Sequence, residues 1–144
     1  RTSRLMPQSF DCAQVGDPIP GRTVGPLTRM DFARFSVASD DPNKVHVDER
    51  VAQAAGFPSV IGSGGIVTGL IIDVISNWCG LERVRKAKIR MFMPLVPDTV
   101  LHASGEVEAR QQDGSMTVRA TVVDDADNRV GTGEFLIART NGVS

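Results

Sequence analysis

From Arg85 to Ile137 apolar and polar residues alternate almost one for one. Ala87, Ile89 and Met91 alternate with Lys86, Lys88 and Arg90, and Leu101, Ala103, Gly105, Val107 and Ala109 alternate with His102, Ser104, Glu106, Glu108 and Arg110. Met116, Val118, Ala120 and Val122 alternate with Thr117, Arg119 and Thr121, and Gly131, Gly133, Phe135 and Ile137 form a last row. A period of two marks a half-buried strand, so the pattern predicts four strands with the first-named residues turned inward. Asp113-Gly114 is a hairpin turn pair, Asp125 to Asn128 is a second polar turn, and Pro94 and Pro97 separate the first two strands.

The first half of the chain has the longer period of helices. Ile66, Val67, Leu70, Ile71, Ile72, Val74, Ile75 and Trp78 cover nearly every face of one helix, which predicts a helix enclosed on all sides. Its apolar part contains Asp73 and falls short of the ~20 residues of a membrane span, so it reads as a core helix. Thr28-Arg29-Met30-Asp31 has the form of a capping box with Asp in place of Glu, opening a helix to about Ala38. Asp48 is placed to cap a short helix through Ala55, closed by Gly56. The expected architecture is α+β, with helices first and then an antiparallel sheet wrapped on one apolar helix.

Composition narrows the partners. A length of 144 residues, 41% hydrophobic and 23% charged, fits one globular domain with a real core. A net charge of -1 gives no argument for nucleic acid or for an acidic membrane surface. Cys12 and Cys79 match no metal-ligand spacing and read as reduced thiols of a cytoplasmic protein; a disulfide between them stays open as the alternative. Arg1 to Leu5 are not followed by the apolar stretch of a signal peptide. Met6 reads as a natural start, giving a single domain over 6–144 with Arg1 to Leu5 as an extension outside it.

The candidate chemistry sits in the loop Ser39-Asp40-Asp41-Pro42-Asn43-Lys44-Val45-His46-Val47-Asp48. Three carboxylates, an amide and one of only two histidines fall within ten residues. The small-residue turn Gly62-Ser63-Gly64-Gly65 then opens the apolar helix. An acid/base loop followed by a glycine-rich helix start suggests a proton shuttle beside an oxyanion pocket.

The pattern S-x-D-x-N-x-x-H-x-D, followed by Gly56-Phe57 and the small-residue helix start, resembles the MaoC-like dehydratases and (R)-specific enoyl-CoA hydratases. Asp41 matches that family's catalytic aspartate, Asn43 its asparagine and His46 its catalytic histidine. Gly64 matches the glycine of an H-G-M motif, with Ser63 and Gly65 in the flanking places. The likeness runs from about Val15 to Ala138, through Trp78-Cys79-Gly80, the strand Lys86 to Phe92, and Pro94 to Pro97. It implies a single hot-dog domain, a homodimer or heterodimer with a related subunit, and hydration of a 2-enoyl thioester or dehydration of an (R)-3-hydroxyacyl thioester. Coenzyme A or an acyl-carrier protein enters as part of the substrate, and no separate cofactor is implied. Two positions depart from the pattern: Asp40 stands where the family has glycine, and Lys44 where it has proline.

That chemistry suits the residues. An Asp41/His46 pair flanking one water can deprotonate it and deliver a proton to the same face of the substrate. A backbone N–H at Gly64 can meet the thioester oxygen as negative charge develops there, and Asn43 can orient the water or the loop. Each residue has a plainer reading. Asp41 and Asn43 also suit an Asx turn, Asp48 a helix cap, Gly64 and Gly65 close helix packing, and His102 a solvated strand face. Arg83, Arg85, Lys86, Lys88 and Arg90 read first as a solvated sheet face, with the phosphates of a carrier as the alternative. A zinc site from His46, His102 and a cysteine lacks ligand spacing. The competing functions are a non-catalytic hot-dog subunit supporting an active partner, which the Asp40 and Lys44 departures favour, and more weakly a hot-dog thioesterase.

Overall fold

All four alternating segments become strands, and they join a fifth in one antiparallel sheet. In the computed structural model, which describes residues 10–139, the order is β1 (Pro18–Leu27), α1 (Arg29–Ala38), a 3₁₀ turn (Lys44–His46), α2 (Glu49–Ala54), α3 (Gly64–Cys79), β2 (Val84–Met91), β3 (Thr99–Arg110), β4 (Met116–Val123) and β5 (Arg129–Ile137). The sheet order is β1-β3-β4-β5-β2. The expected domain start at Met6 and the extension at Arg1 to Leu5 lie outside the described residues.

The expectation of helices first and four strands is corrected by β1. Its sequence, PIPGRTVGPL, carries three prolines and two glycines and lacks strand alternation. The sheet tolerates it because, among the described residues, β1 is an edge that pairs only with β3, so its missing N–H groups break no second ladder. Gly21 is needed there: a Cβ would lie 2.5 Å from the Ala103 carbonyl oxygen.

The helices start where capping chemistry places them. The Thr28 hydroxyl accepts from the Asp31 N–H while the Asp31 carboxylate accepts from the Thr28 N–H, a complete capping box. Asp48 caps α2 through the N–H groups of Arg50 and Val51. At the other end of α2, Gly56 takes a φ of 95° after the last turn.

α3 lies across the inner face of the sheet. Val67, Ile71 and Ile75 are fully buried against Leu101, Val118 and Ile137. Close approach depends on β5: a Cβ at Gly131 would meet Val67 at 2.9 Å, and one at Gly133 would meet Ile71 at 2.7 Å. The helix is not enclosed on all sides by the described residues, contrary to the pattern's implication. Ile66, Ile72 and Trp78 are only half-buried, and Gly69 opens to solvent. Asp73, on the same helix, is paired with Arg22 of β1. Ala87 is a second correction: it is exposed, because β2 is an edge strand whose register shifts between Val84 and Lys86. Among the described residues no helix is long and apolar enough to cross a membrane.

Candidate active site

The loop between α1 and α2 is shaped by how α1 ends. The Asp41 N–H donates to the Ser36 carbonyl (2.9 Å) and the Asp40 N–H to the Val37 carbonyl (3.2 Å), the paired bonds of a Schellman stop. Such a stop needs a left-handed residue after the helix, and Asp40 fills it with φ 53°. The place where the resembled family carries glycine is therefore a place where the backbone demands one; aspartate tolerates this region better than most side chains. The stop turns the chain back and presents Asp41.

Asp41 and Asn43 then fold the loop on themselves. One Asp41 carboxylate oxygen accepts from the Asn43 N–H (3.0 Å), and the Asn43 side-chain oxygen accepts from the Val45 N–H (3.2 Å), capping the 3₁₀ turn. The plainer reading of these two residues is thus realised as well. Asn43 spends its oxygen on the loop. Lys44 begins the turn without disturbing it.

The turn carries His46 inward, where only 7% of it remains accessible. Its Nδ1 lies 2.7 Å from the Ile61 carbonyl, and its Nε2 lies 3.1 Å from the second Asp41 oxygen, Oδ2. The Ile61 N–H in turn donates to the Val45 carbonyl (3.1 Å), tying the segment before α3 to the turn. A carbonyl only accepts, so Nδ1 bears a hydrogen, and Nε2 binds the carboxylate only with one further proton between them. The geometry therefore describes a pair sharing one proton, with the imidazole held from behind by backbone.

An apolar groove of about 380 Å³ runs past His46 and is lined by it with Phe57, Gly64, Met91, Met93 and Leu95 among others. A second hollow is bordered by Ser36, Asp40 and Asp41, and Asn43 borders both. Gly64, the first residue of α3, reaches the groove as well. Ser63 caps the helix by accepting from the Gly65 N–H (3.2 Å), and the first N–H groups of a helix have no partner within it. A Cβ at Gly64 would meet nothing closer than Met91 at 3.8 Å, whereas one at Gly65 would press on the Phe35 ring at 2.9 Å. Packing explains glycine at 65 and leaves glycine at 64 free for another role. Phe57, Met93 and Leu95 were not singled out by the strand and helix periods, because all three lie on connecting segments; Gly62 fixes the last of them by donating to the Leu95 carbonyl (2.7 Å).

The remaining candidates lie elsewhere. His102 is not simply solvated: its Nδ1 is 3.0 Å from the Thr23 hydroxyl and its Nε2 is 2.6 Å from Asp125. Asp48 serves as the cap of α2. Cys12 is exposed and Cys79 buried, and neither is in a disulfide. Among the described residues no group of three or more His, Cys, Asp or Glu is placed to hold a metal ion.

Residues 12–129 match the MaoC-like domain, which is most of the chain, and the protein belongs to that family. No curated protein matches it. Solved structures show the same fold. The chain is 25% identical to a MaoC-like dehydratase, over 92% of this chain and 42% of that one, with a TM-score of 0.81. It is 23% identical to the R-hydratase PhaJ1 of Pseudomonas aeruginosa, over 90% and 83%, with a TM-score of 0.77. It is also 23% identical to a chain of the ChsH1-ChsH2 complex of Mycobacterium tuberculosis, over 88% and 98%, with a TM-score of 0.75. The five-stranded antiparallel sheet on a long apolar helix is the hot-dog fold of this family.

Proposed function

We propose that the protein hydrates a 2-enoyl thioester, or dehydrates the (R)-3-hydroxyacyl thioester, with Asp41 and His46 as its acid–base pair. The observation that carries this reading is the 3.1 Å contact between Asp41 and the Nε2 of His46, a histidine that also lines an apolar groove. Water entering between the two groups gives up a proton to the pair as its oxygen bonds to C3. The pair gives a proton to C2 on the same face, so its own proton count is unchanged over the cycle. Negative charge gathering on the thioester oxygen meets the N–H and the dipole at the start of α3, with Gly64 leaving room for the approach. Asn43 holds the loop with its oxygen, which caps the 3₁₀ turn, and keeps its side-chain N–H donors for orienting the water.

The hydrogen-bonded Asp41/His46 pair favours catalysis over the alternative of an inactive supporting subunit, whereas the left-handed Asp40 is accounted for by the stop of α1. The chain acts as a homodimer or beside a related subunit; the heteromeric ChsH1-ChsH2 complex supports the second arrangement as an option for this fold. The test is a screen of the purified protein against enoyl-CoAs of graded size, following loss of the conjugated enoyl absorbance. Hydration abolished by Asp41→Asn is the expected result. Thioester cleavage without hydration would overturn the reading in favour of a hydrolase.

A further inference from the structure

The two members of the acid–base pair border different hollows. His46 lines the apolar groove, whereas Asp41 borders the second hollow, of about 380 Å³, together with Ser36 and Asn43. A thioester that fills the groove therefore leaves the Asp41 side of the pair open to the second hollow.

Ser36 brings to that hollow a hydroxyl without a partner. Only 6% of the residue is accessible, and among the described residues its Oγ is the one buried side-chain oxygen or nitrogen that makes no hydrogen bond. A serine on a helix can donate to the carbonyl four residues back, and Ser39 at the end of the same helix does so, to Phe35 at 2.7 Å. Ser36 makes no such bond. An unpaired buried hydroxyl costs stability that alanine would keep, and alanine is also the better helix former. Serine at 36 is thus a local disadvantage to the fold. Its place gives the reason for it: the Ser36 carbonyl accepts from the Asp41 N–H (2.9 Å), so the orphan hydroxyl is tied through the backbone to the residue that supplies the pair's carboxylate.

We propose that Ser36 is a positioning residue of the acid–base pair, its hydroxyl donating to a water held in the second hollow that donates in turn to the Asp41 carboxylate; this deepens the proposed function and rests on it. A turn about the Cα–Cβ bond takes the Oγ from its buried place to the hollow that the residue borders. The held water has Ser36, Asp41 and the Asn43 side-chain amide as partners, within the two to four that such a water needs. In the resting pair Asp41 accepts from the Asn43 N–H and shares a proton with His46. When the reacting water parts His46 from Asp41, the held water remains as a donor and keeps the charge on the carboxylate. Ser36 neither gains nor loses a proton.

The charged groups around Asp41 are His46 across the pair, Asp40 on the rim of the same hollow and Lys44 at the head of the 3₁₀ turn. α2, packed on that turn, adds Asp48, which caps the helix, with Glu49 and Arg50. Ser36→Ala changes none of them, so its effect reads the hydroxyl alone.

That variant is expected to melt at or above the temperature of the unaltered protein, because an unpaired buried hydroxyl is removed. Its kcat with an enoyl-CoA is expected to fall on the order of three- to tenfold, with KM unchanged, since Ser36 does not line the groove. At low pH the pair takes a second proton on the Asp41 carboxylate. Loss of a donor to that carboxylate makes this easier, so the acidic limb of kcat moves to higher pH by ~0.4–1 on the pH scale. Unchanged kcat with an unmoved limb overturns the proposal. A fall in kcat with a lower melting temperature and an unmoved limb also overturns it, as the mark of packing, and so does a rise in KM alone. A high-resolution crystal structure gives an arm that needs no turnover. It is expected to show a water within hydrogen-bond reach of both the Ser36 Oγ and the Asp41 carboxylate, and a hollow with no water between them overturns the proposal. A protein that hydrates no enoyl thioester overturns the proposed function, and the crystal still decides whether Ser36 and Asp41 hold a water.

Discussion

Asp40 and Asp41 are adjacent carboxylates in opposite situations. Asp41 places one oxygen on His46 and the other on a backbone N–H, while Asp40 is exposed and supplies only a left-handed backbone. Asp41→Asn and His46→Gln are each expected to lower turnover ~10²–10⁴-fold, with the double variant little worse, because the proposed mechanism has the two act on one water. Asp40→Asn keeps most of the activity, and Asp40→Gly keeps it while gaining up to about 1 kcal/mol in chemical denaturation. A dead Asp40→Asn beside an active Asp41→Asn would show the register to be wrong. Cys79 illustrates a different consequence of burial, which pushes its thiol from the ordinary 9.0 up to about 11. Above pH 9 the unfolded chain ionises this thiol first, so the contribution present at lower pH is lost as pH rises toward 11. Denaturation midpoints of the wild type should therefore fall over that window more steeply than those of Cys79→Ala, and parallel curves would count against it.

At the scale of elements, the signals that proved legible were periodic or chemical. The strands β2 to β5 alternate, α1 carries its capping box, and the D-x-N-x-x-H spacing puts the Asp41 and His46 side chains within hydrogen-bond reach across one 3₁₀ turn. β1 was not legible, because an edge strand rich in proline and glycine is held by its partner β3 and not by its own pattern. Nor was the exposure of Ala87 or of one side of α3, since alternation reports which residues share a face and not whether anything covers it. The groove wall escaped for the related reason that Phe57, Met93 and Leu95 lie in connections fixed by backbone bonds. The start of α3 yields its own prediction. Gly64→Val has room beside Met91, so the variant should stay folded with an unchanged melting temperature and a kcat/KM reduced on the order of 10²-fold. Gly65→Val, pressing on Phe35, should instead lose stability by about 1–3 kcal/mol. Normal turnover in folded Gly64→Val would assign that glycine to packing alone.

At the scale of the molecule, the described residues leave two surfaces unfinished. β2 presents an unpaired strand edge at Lys86, Ala87 and Lys88, and α3 shows Ile66, Gly69 and Ile72 along a partly open side. An unprotected edge beside apolar helix surface favours association, and light scattering should find a dimer, whether of this chain or with a related one. A stable, fully active monomer would contradict that expectation. Pairing through the β2 edge would extend the sheet and leave its outer face, with Lys88 and Arg90, open. The most direct measurement of all is the configuration of the product. Crotonyl-CoA incubated with the assembled protein should give the (R)-3-hydroxy thioester, and the Asp41→Asn variant should give almost none. An (S) product, or (R) product formed equally well without Asp41, would contradict the assignment of this pair as the agents of hydration.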